Sequence, residues 1–140
     1  MPRAGEDRMI RVTGPPRSGR GSSGSRPHWH ETSETMEFLD TLKEKVLIFD
    51  GAMGTSIHKY ELSLDDYRGC ENCPEILVES RPDVVAEIHA AYLKAGCDAI
   101  ETDTFGGSPV VLAEFGLSDR AYQLNWQAAE LARGVAADFS

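Results

Sequence analysis

The sequence predicts an α/β protein with parallel strands, and three observations carry that prediction. A short apolar run, Val46–Phe49, stops at Asp50-Gly51. A second run, Ala99–Phe105, stops at Gly106-Gly107. Between them lies a segment with helical periodicity, Pro82–Ala95, and a strand–helix–strand order pairs its strands in parallel.

The amino-terminal residues look unlike the rest. Residues 1–31 hold six Arg against three acids, leaving eight basic against twenty acidic residues over the remainder, a net -12. Residues 1–35 form an Arg/Gly/Ser/Pro-rich tail that cannot bury enough apolar area to offset its ordering entropy, so disorder is expected there. It lacks the apolar stretch of a secretory signal, and its Gly and Pro density opposes an amphipathic transit helix. Met36 stands where folded-looking sequence begins and is a candidate true start; peptide mapping of the native amino terminus tests this. His28-Trp29-His30 in the tail is a weak metal-binding pattern beside the plainer reading of a solvated segment.

The acidic body excludes a nucleic-acid partner, which needs a basic patch. No apolar run approaches the roughly 20 residues of a membrane span. At 140 residues and 41% apolar, the chain allows one domain at most.

Met36–Lys45 reads as a short amphipathic helix with Phe38, Leu39 and Leu42 on one face. Val46–Phe49 then reads as a strand buried on both faces. Asp50 closes it, and Gly51 and Gly54 allow close approach of backbone to a ligand. A carboxylate at the carboxyl end of a parallel strand sits where α/β folds build sites. The plain alternative is a turn in which Asp50 caps backbone amides.

Ile57–Glu75 is too long for an ordinary connection, so it is expected to be functional or locally structured. It contains Cys70-x-x-Cys73. Zinc needs four ligands, and only Cys97 remains elsewhere, with His58 an accidental fourth. A redox pair needs a helix amino terminus, which Pro74 permits. Structural or incidental cysteines are the third reading. Three cysteines without a signal peptide point to a reducing compartment, the cytoplasm.

Pro82–Ala95 carries Pro in its first turn, Asp83 at its positive end and Gly96 after its last residue. Val84, Ile88, Ala91, Tyr92 and Ala95 make its apolar face, which places His89 off that face and at the surface. In Ala99–Phe105, alternation puts Glu101 and Asp103 on one side. Two carboxylates there require a polar site or full hydrogen bonding. Ser108–Phe115 reads as a short capped helix ended by Gly116. From Ser118 a long helix follows, with Ala121, Leu124, Ala128, Leu131 and Val135 inward.

Asp50-Gly51-Ala52-Met53-Gly54-Thr55 resembles the first-strand motif of the homocysteine S-methyltransferase family. Asn72-Cys73-Pro74-Glu75, Arg81-Pro82-Asp83-Val84-Val85 and Ile88-His89-Ala90-Ala91-Tyr92-Leu93 continue the likeness. Glu101-Thr102-Asp103-Thr104-Phe105 is similar to the second-strand motif. Order and spacing agree best with the homocysteine-binding module of the cobalamin-dependent methionine synthases, over Met36–Ser140.

The resemblance implies a (β/α)8 TIM barrel, of which residues 36–140 are the amino-terminal part, the opening βα units of a truncated barrel. It implies transfer of a methyl group to the zinc-held thiolate of homocysteine, with cobalamin as methyl carrier, and further barrel, cobalamin and folate modules as partners. The family's zinc ligands lie beyond this part, so Cys70, Cys73 and Cys97 are not assigned to metal. By itself the fragment is expected to be inactive. The substrate-binding residues implied are Asp50 for the ammonium group, the amides of Gly51, Ala52 and Met53 for the carboxylate, and Asp103 and Thr104 lining the same pocket. A non-catalytic remnant, a donor other than methylcobalamin, and a phosphate cradle at the Asp50 loop are the alternatives. The missing Lys after Gly54 opposes the last.

Overall fold

The computed structural model describes residues 38–139. The tail, its His28-Trp29-His30 pattern and the Met36 start lie outside them. In order come α1 (Phe38–Glu44), α2 (Met53–Ile57), α3 (Leu77–Ser80), α4 (Pro82–Ala95), α5 (Pro109–Leu112) and α6 (Ala121–Ala137), with single 3-10 turns at Pro74–Ile76, Ala113–Phe115 and Ser118–Arg120.

Neither predicted strand forms as an extended ladder. What survives is one parallel bridge, Phe49 to Ala99. Its direction agrees with the strand–helix–strand reading. Asp98 N–H donates to the Ile48 carbonyl at 2.7 Å, and Asp50 N–H donates to the Ala99 carbonyl at 3.0 Å. The expectation that Val46–Phe49 is buried on both faces fails: Val46 is 85% exposed and Ile48 59%. The two segments have each other as pairing partners, and neither has a second neighbour among the described residues. A lone pair of short strands is marginal in water.

The helices match the sequence more closely. α4 has the predicted bounds and ends at Gly96 with φ 97°, a left-handed position suited to glycine. Its buried face is rotated from the prediction. Val84, Val85, Ile88, His89 and Leu93 are buried, whereas Ala91 and Ala95 are exposed. The predicted Ser108–Phe115 helix splits into α5 and a 3-10 turn, with the Ser108 hydroxyl accepting the Val111 amide at 3.3 Å. α6 buries Ala121, Leu124, Ala128 and Ala132. In α1, Phe38, Leu39 and Leu42 are exposed and Thr41 is buried, so the predicted apolar face stays largely open, with the Phe38 ring edge-on to Phe49.

The long connection is locally structured. Ser63 and Asp66 close a turn, and Arg81 joins Asp66 to Asp83. Glu79 on α3 pairs with Arg68 of the connection and with Arg120 before α6. Two apolar clusters meet at α3. One gathers Cys73, Ile76, Val78, Leu112 and Leu124. The other gathers Ile57, Leu77, Val84, Val85 and Ile88. Among the described residues no helix is long and apolar enough to cross a membrane.

Candidate functional site

The two glycine-bearing turns that follow the bridge meet at a cleft of about 620 Å³. Asp50, Gly51, Ala52, Met53 and Asp103 line it, as do Asn72, Glu75, Glu101, Gly106 and Glu114. Thr104 does not; its hydroxyl pairs with that of Thr102 at 2.7 Å.

The backbone at the first turn is unusual. Ala52 has φ 51°, and Asn72 on the cleft wall has φ 68°. Such angles are uncommon outside glycine and cluster at functional sites. Left-handed Ala52 leads straight into right-handed Met53 at the start of α2. Alternating hands in successive residues turn neighbouring amides toward a common point, the geometry of an anion-binding nest.

Asp50 is less available than its position suggests. Its side chain is 5% exposed. Oδ1 accepts the Glu101 amide at 2.7 Å. Oδ2 faces Nδ1 of His89 at 3.8 Å. His89 is fully buried, not at the surface as the helical pattern predicted, because the face of α4 is rotated toward the bridge. Burial holds its pKa below the ordinary value, against the pull of Asp50.

No strand forms over Ala99–Phe105, yet Glu101 and Asp103 both line the cleft, and they differ in burial. Glu101 is exposed, whereas Asp103 is 5% exposed with Oδ2 lacking a hydrogen-bond partner. Burial first, and then the Glu75 charge, push the Asp103 carboxyl up to about 7.

Glu75 stands in the sequence reading only as part of the Asn72-Cys73-Pro74-Glu75 motif, with no role in the site. It is 4% exposed. Oε1 accepts the Gly106 amide at 2.5 Å, and Oε2 accepts the Cys73 thiol at 3.6 Å. Gly106 is closely packed: a Cβ there would lie 2.7 Å from Glu75 Oε1, so the carboxylate would have to shift. Next to it, Asn125 of α6 donates to the Gly107 carbonyl at 2.7 Å. The usable signal was Glu75 directly before Ile76-Leu77-Val78, a charge at the start of an apolar run.

Cys70 and Cys73 are free thiols. Burial and the Glu75 charge push the Cys73 thiol up to about 11, which opposes the activated-thiol reading of the pair. Among the described residues no three His, Cys, Asp or Glu side chains are grouped to hold a metal ion.

Comparison with known proteins agrees with the site's motifs. The family model for homocysteine S-methyltransferase matches residues 47–140. A methionine synthase of Mycobacterium tuberculosis is 46% identical over 100 residues, covering 71% of this chain and 8% of the relative. A methionine synthase of Mycobacterium leprae is 41% identical over 114 residues, covering 81% of this chain and 9% of the relative. The chain thus spans less than a tenth of the length of these curated relatives. With more than half of its length matched by the family model, the chain belongs to the homocysteine S-methyltransferase family.

Proposed function

We propose that residues 36–140 are the opening βα units of a (β/α)8 barrel. On this reading the cleft holds the amino-acid end of homocysteine while a methyl group is transferred to the substrate's sulfur, within a longer polypeptide of the methionine synthase type. The observation that carries the reading is the convergence of two turns, Asp50–Met53 and Asp103–Gly106, on one cleft at the carboxyl end of a parallel pair. Ligands bind at that end in open and closed parallel sheets alike. The amides of Gly51, Ala52 and Met53 take the substrate carboxylate, and the acidic wall takes its ammonium group.

Zinc and cobalamin, implied for the whole enzyme, would be held by further polypeptide; the described residues do not fit zinc. When bound, zinc would keep the substrate sulfur as thiolate near neutral pH. The residues of this chain bind and orient the other end of the molecule. The three thiols, none in a disulfide, suit the cytoplasm. The acidic lining speaks against a phosphate ligand.

A second reading, a non-catalytic remnant, has the exposed Val46, Ile48 and Phe105 in its favour. Calorimetric titration of the 140-residue chain with L-homocysteine under reducing conditions separates the two. Saturable binding is expected. Its absence overturns the proposal and leaves the remnant reading.

A further inference from the structure

We propose that His89 is a positioning residue of the cleft: its Nδ1–H closes onto Asp50 Oδ2 and so ties the Asp50–Met53 turn to α4. Where ligand is concerned, the inference rests on the reading of the cleft as an amino-acid site.

The first observation is the ring itself. His89 is fully buried on α4, and neither of its ring nitrogens has a hydrogen-bond partner. Buried polar groups are nearly always paired, and an unpaired one is costly. A neutral imidazole carries its proton on one nitrogen and offers the other as an acceptor. The acceptor that faces Nδ1 is Asp50 Oδ2, at 3.8 Å. A shift of about 1 Å turns that contact into a hydrogen bond, and contacts in a site commonly tighten in this way once ligand is bound.

The second observation is what Asp50 holds. Its Oδ1 accepts the Glu101 amide at 2.7 Å, and its own amide donates to the Ala99 carbonyl at 3.0 Å. Asp50 therefore links both segments that run into the cleft, which Asp50–Met53 and Glu101 line. With Oδ1 engaged, a bond to Oδ2 fixes the plane of the carboxylate. α4 is a firm anchor for that bond, because it packs against α2, α3 and α6.

The third observation is the surrounding charge. The cleft lining contains no Lys, Arg or His. Cys97, just beyond α4, stays a thiol, held up by burial and then by the Asp50 and Asp98 charges. Among these groups His89 is the one placed to donate to Oδ2, and burial keeps its ring neutral. His89 touches no ligand, since it is fully buried and does not line the cleft. It acts through Asp50 on the amides of Gly51, Ala52 and Met53.

The test uses the full 140-residue chain. Long-range proton–nitrogen spectra of the nitrogen-15-labelled chain at pH 7 should show a neutral His89 ring with its proton on Nδ1. Calorimetry with L-homocysteine reads the consequence. An Asn side-chain nitrogen stands where Nδ1 does, and a Gln nitrogen stands where Nε2 does. His89→Leu and His89→Gln should lower affinity about tenfold, and His89→Asn should recover it to within about threefold of wild type. On packing alone the order is reversed, because Leu is the mildest change in an apolar core.

A proton on Nε2, a doubly protonated ring, or an affinity of His89→Leu equal to or above that of His89→Asn would overturn this inference and leave the cleft reading standing. Should the variants fail to fold by circular dichroism, the wild-type ring spectrum decides alone. A wild-type chain that binds no homocysteine overturns the cleft reading, and the ring spectrum then decides this inference.

Discussion

The Asp50 carboxylate accepts the Glu101 amide at 2.7 Å, so a side chain carries the pairing of two segments one step past their last backbone bond. Asp98 does the same at the other end, where Oδ2 accepts the Ile48 amide at 2.9 Å. A ladder too short to stand by itself is bracketed by two aspartates.

Removing the bracket should loosen the pair. Asp50→Ala leaves the Glu101 amide without its acceptor and is expected to cost about 1–3 kcal/mol. Asp50→Asn keeps an acceptor and should cost less than about 1 kcal/mol. Urea melts and calorimetry on both variants check this.

Asp103 should make stability fall with rising pH. Its folded pKa is raised, so the folded chain binds more protons than the unfolded chain between about pH 4 and 7. Stability is therefore greatest below that window and lost across it. Asp103→Asn should be more stable than wild type at pH 8, by up to about 4 kcal/mol, and equal to it near pH 4. Melting curves at the two pH values decide.

Glu75 and Gly106 should be strongly coupled. Gly106→Ala pushes a methyl group against the Glu75 carboxylate and should cost about 1–3 kcal/mol. Glu75→Ala leaves the Gly106 amide and the Cys73 thiol without their acceptor, and about 2–3 kcal/mol should go. The double variant should lose less than the sum, because the clash vanishes with the carboxylate. A double-mutant cycle by chemical denaturation measures it.

Cys73 should resist thiol reagents. It is fully buried, and its thiol stays protonated up to about pH 11. At pH 8 a disulfide reagent should modify Cys73 at least about a hundredfold more slowly in the folded chain than in denaturant, where a thiol titrates near 8.5. Mass spectrometry of timed, quenched samples reads each site, and equal rates would restore the redox reading.

The α4 boundaries were legible in the sequence because they are local: Pro82 starts the helix and Gly96 ends it, each through its own backbone geometry. The motif Asp50–Thr55 was legible as a turn for the same reason, and its resemblance named the family. The approach of the two turns could be anticipated from strand order, since parallel segments place their carboxyl ends together. Periodicity could not say which way α4 would roll, and so missed burial of His89, because a rotation of one residue's arc depends on what it packs against. Alternation could not say that Asp103 would be buried and Glu101 exposed, because a strand's period exists only where neighbours hold the strand flat. Glu75 escaped notice because its partner, Gly106, lies 31 residues away along the chain. Local sequence determined the α4 boundaries, the Asp50 turn and the family of this protein. Tertiary packing decided which carboxylates are engaged, which is left without a partner, and hence where a proton sits, since desolvation and charge depend on neighbours that sequence distance does not reveal.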